Sequence, residues 1–206
     1  MPEKNTLRMI DLFAGAGGLS EGLHQAGFKC LYANEIKKSY SDTYSLNHPE
    51  TVIGQQDIRE VSAAEIRRKL GVNCGELDLI AGGPPCQGFS INAPLRSSQD
   101  ERNHLFKDFL RFVDEFVPKA ILIENVPGLV SFEGGMTLQA ILTSLEKHGY
   151  TAGVKILYAP HYGIPQTRWR TVIIGMHGNQ PVESLFPEPV RQAPIRVNFT
   201  SRFEGR

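Results

Sequence analysis

The feature that most constrains this chain is a regular alternation between short apolar runs and segments with helical periodicity. Apolar runs rich in Val, Ile and Leu predict strands. They lie at residues 7–13, 29–34, 51–55, 77–81, 120–123, 154–158 and 171–176. Helical periodicity lies between them, at residues 19–25, 36–46, 63–70, 105–116 and 138–147. Alternating strands and helices form a sheet that helices cover on both faces, so the sequence predicts a doubly wound α/β fold.

The alternation stops after Met176, and four prolines follow between residues 181 and 194. Closely spaced prolines predict irregular backbone. A length of 206 residues fits one domain plus a fragment better than two domains. We therefore predict an α/β domain over residues 1–176. Residues 177–206 are predicted to form an irregular tail, either a linker or the start of another module.

Residues 11–19, with the sequence DLFAGAGGL, connect the first predicted strand to the first helix. Glycines let a backbone approach a ligand closely, and the helix that follows presents free N–H groups to it. The spacing GxGG differs from the GxGxxG fingerprint of dinucleotide sites, so a pyrophosphate ligand matches poorly. The turn predicts a nucleotide-like ligand. The alternative is a tight turn without a ligand.

Acidic residues follow the second and third predicted strands, at the same edge as the glycine turn. Glu35 comes directly after residues 29–34, and Asp57 comes shortly after residues 51–55. A carboxylate in the first position can hold ribose hydroxyls. One in the second position can reach an adenine amino group. Solvated acids without a ligand are the alternative interpretation.

A rigid turn surrounds Cys86, in the sequence GGPPCQGFS at residues 82–90. Two glycines and two prolines restrict the backbone there, which is a poor place to bury a small apolar side chain. The segment that continues to residue 103 has no periodicity, and long segments of this kind are commonly functional loops. We predict a reactive thiol at Cys86. Cys30 and Cys74 lack such surroundings and are predicted to be buried and inert.

Charged residues also lie at the ends of the last predicted strands. Glu124 directly follows the apolar residues 120–123, where a buried carboxylate needs a partner or a function. Arg168 and Arg170 precede the strand at 171–176. Strand alternation puts both arginines on one side and Trp169 on the other. The alternative is a solvated entrance to the strand.

Composition excludes several classes of protein. Lys and Arg together number 22, as do Asp and Glu, so the chain is not a generally basic polyanion binder. Residues 161–206 nevertheless hold six arginines against three glutamates. Three scattered cysteines without a CxxC pair exclude a disulfide scaffold and a structural zinc site, and we predict no metal. No apolar run approaches the about 20 residues that span a membrane. We predict a soluble protein of the cytoplasm or nucleoid, or of the nucleus in a eukaryote.

Residues 11–19, 83–90, 124–126 and 166–170 together resemble the motifs of the cytosine-C5 DNA methyltransferases, in family order and spacing. The resemblance covers residues 8–176. It implies a Rossmann-like, S-adenosylmethionine-dependent methyltransferase sheet, mostly parallel with the last strand antiparallel. It also implies methyl transfer from S-adenosylmethionine to carbon 5 of cytosine in double-stranded DNA, in a restriction–modification or similar setting.

The resemblance assigns roles to individual residues. Cys86 would add to carbon 6 of a cytosine flipped out of the duplex, which makes carbon 5 nucleophilic. Glu124 would bind nitrogen 3 and the amino group of the base, Arg170 would bind oxygen 2, and Arg168 would lie near the base. The residues assigned to the cofactor are Phe13, Ala14, Gly15, Gly17 and Gly18 at the methionine end, Glu35 at the ribose, Ile36, Asp57 and Ile58 at the adenine, and Pro85 and Leu105 in the pocket wall.

Two departures from the family pattern bear on these expectations. The family often has an aromatic residue after the ribose-binding acid, where this chain has Ile36. Most of the target-recognition region and the last motifs, which return beside the first strand, are not found within these 206 residues. We therefore predict that activity depends on a second polypeptide that carries them. The alternatives are the tRNA-modifying branch of the family and a non-catalytic subunit that binds S-adenosylmethionine.

Overall fold

The computed structural model describes residues 6–85 and 105–190. Seven strands form one sheet in the order β3-β2-β1-β4-β5-β7-β6. The strands are β1 (Leu7–Leu12), β2 (Phe28–Asn34), β3 (Val52–Gly54), β4 (Leu79–Gly82), β5 (Ala120–Asn125), β6 (Tyr150–Tyr158) and β7 (Trp169–His177). Strands β1 to β5 pair in parallel, whereas β7 runs antiparallel to both β5 and β6. The predicted mostly parallel sheet with an antiparallel last strand is confirmed.

The helices of the described residues are α1 (Gly18–Gln25), α2 (Lys38–Asn47), α3 (Ala63–Leu70), α4 (Leu105–Phe116), α5 (Gly128–Ser131) and α6 (Met136–Lys147). The five predicted helices begin and end within two residues of these bounds, and α5 was not predicted. Helix α3 shows why helix bounds can be predicted from local sequence. The Ser62 hydroxyl accepts the N–H of Glu65 at 3.3 Å at its start, and Gly71 ends the helix with φ 64°. None of these helices is both long and apolar enough to cross a membrane.

Helices cover both faces of the sheet. On one face, the aromatic stripe of α4 packs with α3, α5 and α6 on strand residues such as Ile10, Ile80 and Ile121. On the other face, α1 and α2 cover Met9, Cys30 and other residues of β1, β2 and β4. Burial on both faces explains why the inner strands are almost uniformly apolar. The carboxyl ends of β1 to β5 are left together at one edge, where ligands bind in this architecture.

Strand β6 was predicted too short. It begins at Tyr150, four residues before the predicted start, because it pairs with β7 along its whole length. Small and polar residues in this edge strand hide its periodicity from the sequence. Beyond β7, Val182 and Phe186 are buried, and both lie over Gly153 of β6. The chain therefore continues to pack on the sheet after its last strand.

Candidate functional site

A cavity of about 250 Å³ lies at the carboxyl ends of β1, β2 and β3. Its walls are formed by Phe13, Asn34, Glu35, Ile36, Asp57, Ile58, Arg59, Pro85 and Leu105. Seven of these nine residues are ones that the sequence assigned to a cofactor. The two that it missed, Asn34 and Arg59, are neighbours of predicted residues in the chain. The structure therefore brings residues from four separate strand ends around one cavity.

The other predicted cofactor residues, Ala14, Gly15, Gly17 and Gly18, form the turn between β1 and α1. Gly17 has φ 95°, and a Cβ added there would lie 2.9 Å from the His48 ring. Glycine is thus required both by conformation and by space. A Cβ added at Gly15 would meet no atom of the described residues within 4 Å, so among these residues the backbone of the turn is open on this side. Such an open, close-approach backbone fits the amino-acid end of a nucleoside cofactor.

Glu35 connects the end of β2 to this turn. Its side chain is buried, and one carboxylate oxygen accepts the N–H of Gly15 at 2.9 Å while the other accepts the N–H of Lys37 at 2.8 Å. These two backbone hydrogen bonds fix the orientation of the carboxylate. Each oxygen keeps a further lone pair, so Glu35 can hold the glycine turn and accept ribose hydroxyls at the same time.

Asp57 and Arg59 form an ion pair at the cavity wall. Arg59 Nη2 lies 2.6 Å from Asp57 Oδ2, and Arg59 Nε lies 3.0 Å from Oδ1. The hydrogen bonds from Arg59 lower the pKa of the Asp57 carboxyl. Asn34 donates to the carbonyls of Gly54 and Gln56, which ties β2 to the chain after β3. The adenine side of the predicted site is therefore held by polar side chains.

The predicted base-binding residues meet at the ends of β5 and β7. Glu124 Oε1 accepts a hydrogen bond from Arg170 Nε, and Arg168 Nη2 lies 4.0 Å from the same oxygen. The predicted placement of both arginines on one side is borne out by this geometry. Trp169 instead stacks on Tyr158 with ring centroids 4.1 Å apart. A carboxylate and a guanidinium in contact can present an acceptor and donors to the edge of one planar ring.

The segment before Cys86 lies against this ion pair. Asn125 donates from its side chain to the carbonyl of Pro84 at 3.0 Å, and a Cβ added at Gly83 would lie 3.4 Å from Glu124 Oε2. Pro85 lines the cofactor cavity. Cys86 itself lies outside the described residues. The two residues before Pro85 thus contact the base-binding side, while Pro85 contacts the cofactor side.

The other two cysteines differ from each other. Cys30 is buried as predicted, and burial raises the pKa of its thiol to about 11. Cys74 is exposed, so that prediction is wrong. It lies between α3 and β4, in a turn where Asn73 bonds to Glu76, and polar turns of this kind stay at the surface. Within residues 6–85 and 105–190, no group of three His, Cys, Asp or Glu side chains could hold a metal ion.

Comparison with known proteins decides the family. The profile of the C-5 cytosine-specific DNA methylases matches residues 7–201. The chain belongs to this family. It is 46% identical over 184 residues to the type II methyltransferase M.AgeI of Thalassovita gelatinovora, across 89% of this chain and 43% of that protein. It is also 41% identical over 186 residues to M1.HphI of Haemophilus parahaemolyticus, across 89% of this chain and 49% of that protein.

Solved structures agree with the fold of this DNA methylase family member. A DNA modification methyltransferase encoded within an Escherichia coli prophage superposes with a TM-score of 0.75 at 32% identity, over 90% of this chain and 52% of that one. DNMT2 of Spodoptera frugiperda superposes with a TM-score of 0.66 at 22% identity, over 91% of this chain and 54% of that one, which shows the fold alone. The chain thus spans about half the length of the first relatives it matches.

Proposed function

We propose that this chain forms the cofactor-binding and catalytic part of a DNA cytosine-C5 methyltransferase. One observation carries the proposal. The segment at residues 83–85 touches the Glu124 side with Gly83 and Pro84, and it lines the cavity at β1 to β3 with Pro85. Cys86 follows directly in the sequence. Transfer of a methyl group to a base through a cysteine adduct requires a thiol close to both the base and the cofactor, and the position of Cys86 in the sequence, directly after this segment, supports that role.

The cavity residues fit S-adenosylmethionine. The open turn at Gly15, the buried carboxylate of Glu35 and the polar wall at Asp57 match its amino-acid end, its ribose and its adenine, respectively. When bound, the cofactor supplies an electrophilic methyl group. Ile36 is 57% exposed at the cavity wall and provides an aliphatic surface where relatives often have an aromatic ring.

The residues of this chain activate the base. The Cys86 thiolate forms a bond to carbon 6 of cytosine, and the electron pair displaced from the double bond makes carbon 5 nucleophilic. Glu124 binds the amino group and nitrogen 3, and Arg170 binds oxygen 2, so both stabilise the charge that addition creates. After methylation, a base removes the proton from carbon 5, and the thiolate leaves as the ring double bond forms again. The reacting carbons are inaccessible within a duplex, so the cytosine must be flipped out.

We also propose that a further polypeptide segment, in the same chain or in a second one, completes the enzyme. It would carry the target-recognition region and cover the sheet face on which Glu124 lies. Leu122 and Ile174 are on that face, and within residues 6–85 and 105–190 they are only half-buried, since Leu122 lies at the margin of the cluster on β1, β2 and β4. Apolar side chains left half-covered on a sheet favour a covering partner.

A covalent trap tests the function. A duplex that contains 5-fluorocytosine retains the cysteine adduct, because the fluorine cannot leave as the carbon-5 proton does. We expect a denaturation-resistant adduct from the 206-residue chain, S-adenosylmethionine and a complementing C-terminal polypeptide. The adduct should be lost in Cys86→Ser and retained in Cys74→Ser, which changes an exposed cysteine that precedes the amino end of β4.

Cofactor binding provides the second measurement. Calorimetric titration of Cys86→Ser with S-adenosylmethionine should give nearly the affinity of the wild type, since the glycine turn and Glu35 are unchanged. An adduct that persists in Cys86→Ser would contradict the catalytic assignment. An adduct formed on a fluorocytosine-containing tRNA but not on the duplex would show that the substrate is RNA.

A further inference from the structure

A network of buried polar side chains, formed by Asp11, Ser20, Tyr44 and Cys30, lies beneath the glycine turn, and the proposed reaction does not use it. Asp11 Oδ2 lies 2.6 Å from Ser20 Oγ, which lies 2.8 Å from the Tyr44 hydroxyl. That hydroxyl lies 3.4 Å from Cys30 Sγ, and the thiol donates to the carbonyl of Tyr32 at 3.3 Å. The polar network therefore connects β1, α1, α2 and β2.

The polar network is buried and forms part of the support of the cofactor turn. Asp11, Ser20 and Tyr44 are at most 1% exposed, and Cys30 is 9% exposed. Ser20 lies in the first turn of α1, directly after the glycines. A Cβ added at Gly17 would lie 3.0 Å from the Tyr44 ring. Tyr44, a member of the polar network, thus also helps to set the position of the turn.

All three hydrogen bonds of the polar network can form at the same time only when Asp11 is protonated. Three contacts join Asp11, Ser20, Tyr44 and Cys30, and each contact needs one proton between its two atoms. The Cys30 proton is directed at the backbone of Tyr32. Ser20 and Tyr44 each have one hydroxyl proton; Ser20 donates its proton to Asp11 Oδ2 and Tyr44 donates its proton to Cys30 Sγ. The 2.8 Å contact between Ser20 and Tyr44 is then left without a proton, and a protonated Asp11 that donates to Ser20 would free the Ser20 proton for it. If Asp11 is ionised, the three contacts share two protons and one contact is lost.

The surroundings of Asp11 point the same way. Its Oδ1 is buried and has no hydrogen-bond partner within the described part of the chain, which would be costly for an ionised carboxylate. The neighbours of Asp11 in the adjacent strands are Ala33 and Ala81. Burial, with a smaller contribution from the nearby charge of Glu35, raises the pKa of Asp11 to about 7, although the hydrogen bond from Ser20 lowers it.

The hydroxyl and thiol groups of the network, which lie on the other elements, stay neutral. Burial raises the pKa of Tyr44 on α2 and of Cys30 on β2, so neither ionises near pH 7. Ser20 on α1 does not titrate. His48 contacts Tyr44, with ring centroids 4.7 Å apart, and not Asp11 itself. Glu35 is therefore the charged side chain that acts on Asp11, and a cation near the turn would act in the opposite direction.

We propose that Asp11 is protonated in a substantial fraction of the ligand-free molecules near neutral pH and releases this proton to solvent when a cationic cofactor binds the glycine turn. This inference rests on the proposed function. S-adenosylmethionine carries a positive sulfonium, whereas its demethylated product carries a neutral thioether. A nearby positive charge stabilises an ionised carboxyl, and the hydroxyls of Ser20 and Tyr44 then turn towards Asp11. Through the polar network, the protonation of Asp11 beneath the turn depends on the sulfonium charge that distinguishes the cofactor from its product.

Calorimetry in buffers of different ionisation enthalpy tests the proposal, because it counts the protons released on binding. The 206-residue chain is titrated at pH 7 with S-adenosylmethionine and, separately, with S-adenosylhomocysteine. A carboxyl with a pKa of about 7 is half protonated at that pH, so we expect release of up to about 0.5 proton with the sulfonium ligand. Release with the thioether should be clearly smaller. The ratio of the two affinities should rise several-fold in favour of the sulfonium from pH 6 to pH 8.

Three variants separate this role from a purely structural one. Asp11→Asn cannot release the proton and should bind both ligands without a difference in proton count. Tyr44→Phe removes a contact that needs a proton, so release at pH 7 should fall although the carboxyl is still present. Asp42→Asn changes an exposed carboxylate of α2 that is paired with Lys38, and it should release as much as the wild type.

The outcomes that overturn the proposal are distinct. Equal proton release by wild type and Asp11→Asn, or equal release with both ligands, would exclude the role of Asp11 and leave the proposed function standing. Absence of binding by either ligand would overturn the cofactor assignment and this inference with it. If Asp11→Asn does not fold, unchanged release in Tyr44→Phe contradicts the proton count.

Discussion

The two ends of the catalytic edge are built in different ways. At the cofactor end, formed by the carboxyl ends of β1 to β3, Glu35 is buried and is held by the backbone N–H groups of Gly15 and Lys37. At the base end, formed by β5 and β7, Glu124 is one-third exposed and is held by the side chain of Arg170. The first arrangement is part of the packed core, whereas the second is a pair of side chains at the surface.

This difference predicts where substitutions act. Backbone donors and buried side chains cannot be changed at the cofactor end without disturbing the turn that they support. The ion pair at the base end can be altered with little effect on the sheet, because surface ion pairs contribute at most about 1 kcal/mol. We therefore expect variants of the cofactor end to affect folding and cofactor affinity, and variants of the base end to affect chemistry alone.

The largest expected effect is at the base end. Glu124→Gln removes the charge that stabilises the base during addition, and the rate of adduct formation should fall by about 10²- to 10³-fold. Its free energy of unfolding should stay within about 1 kcal/mol of the wild type. Rapid-quench adduct assays and urea denaturation measure the two quantities. Glu115→Gln, in a glutamate paired with Arg67 away from the site, is the control. A large loss of stability in Glu124→Gln but not in Glu115→Gln would contradict the claim that the base end can be altered without affecting the fold.

Gly17→Ala should affect the cofactor end strongly. The added Cβ meets His48 and Tyr44, and φ 95° is unfavourable for alanine. Together, strain and overpacking should lower the free energy of unfolding by about 2–4 kcal/mol. Gly22→Ala provides a matched control, since Gly22 is in α1 and a Cβ there meets nothing. Thermal denaturation of both variants decides the point, and an equally stable Gly17→Ala would show that the turn adapts.

Glu35→Ala should weaken binding of S-adenosylmethionine by about 1–3 kcal/mol, because it removes the ribose acceptor and leaves the N–H groups of Gly15 and Lys37 without their partner. Isothermal titration calorimetry measures the affinity. Glu21→Ala changes an exposed glutamate of α1 that bonds to Gln25 and should bind as the wild type does. Equal affinity in Glu35→Ala and Glu21→Ala would remove Glu35 from the cofactor site.

The smallest effect separates the two arginines. Arg168 is 4.0 Å from Glu124 and its side chain is 48% exposed, so Arg168→Ala should change the free energy of unfolding by less than about 0.5 kcal/mol. Arg170→Ala should lower it by more, up to about 1 kcal/mol, because Arg170 is the direct partner of the carboxylate. Urea denaturation of the two variants side by side makes the comparison. The reverse order would mean that Arg168 supports the pair.

The residues of the site were predictable where their position depends on strand ends. The positions of Glu35 and Glu124 could be predicted because each residue directly follows an apolar run. Parallel strands place their carboxyl ends together, so both residues were expected at the same edge of the sheet. Arg59 was missed because its role depends on the way its side chain folds back onto Asp57. Cys74 was assigned to the interior although it is exposed, because the sequence around it does not show that Asn73 and Glu76 close a polar turn.

The sequence by itself determined the α/β class, the glycine turn, most element bounds and the acids at the strand ends, while resemblance to the family supplied the other residues that surround the cavity. Local rules suffice for the former, since apolar periodicity, helix caps and glycine conformations act over a few residues. Tertiary structure alone decided that β7 lies between β5 and β6, which brings Arg170 to Glu124. It also decided that Asp11 is buried against Ser20 and Tyr44. Burial and hydrogen-bond partners depend on residues distant in the chain, and they set the charge that an acid carries.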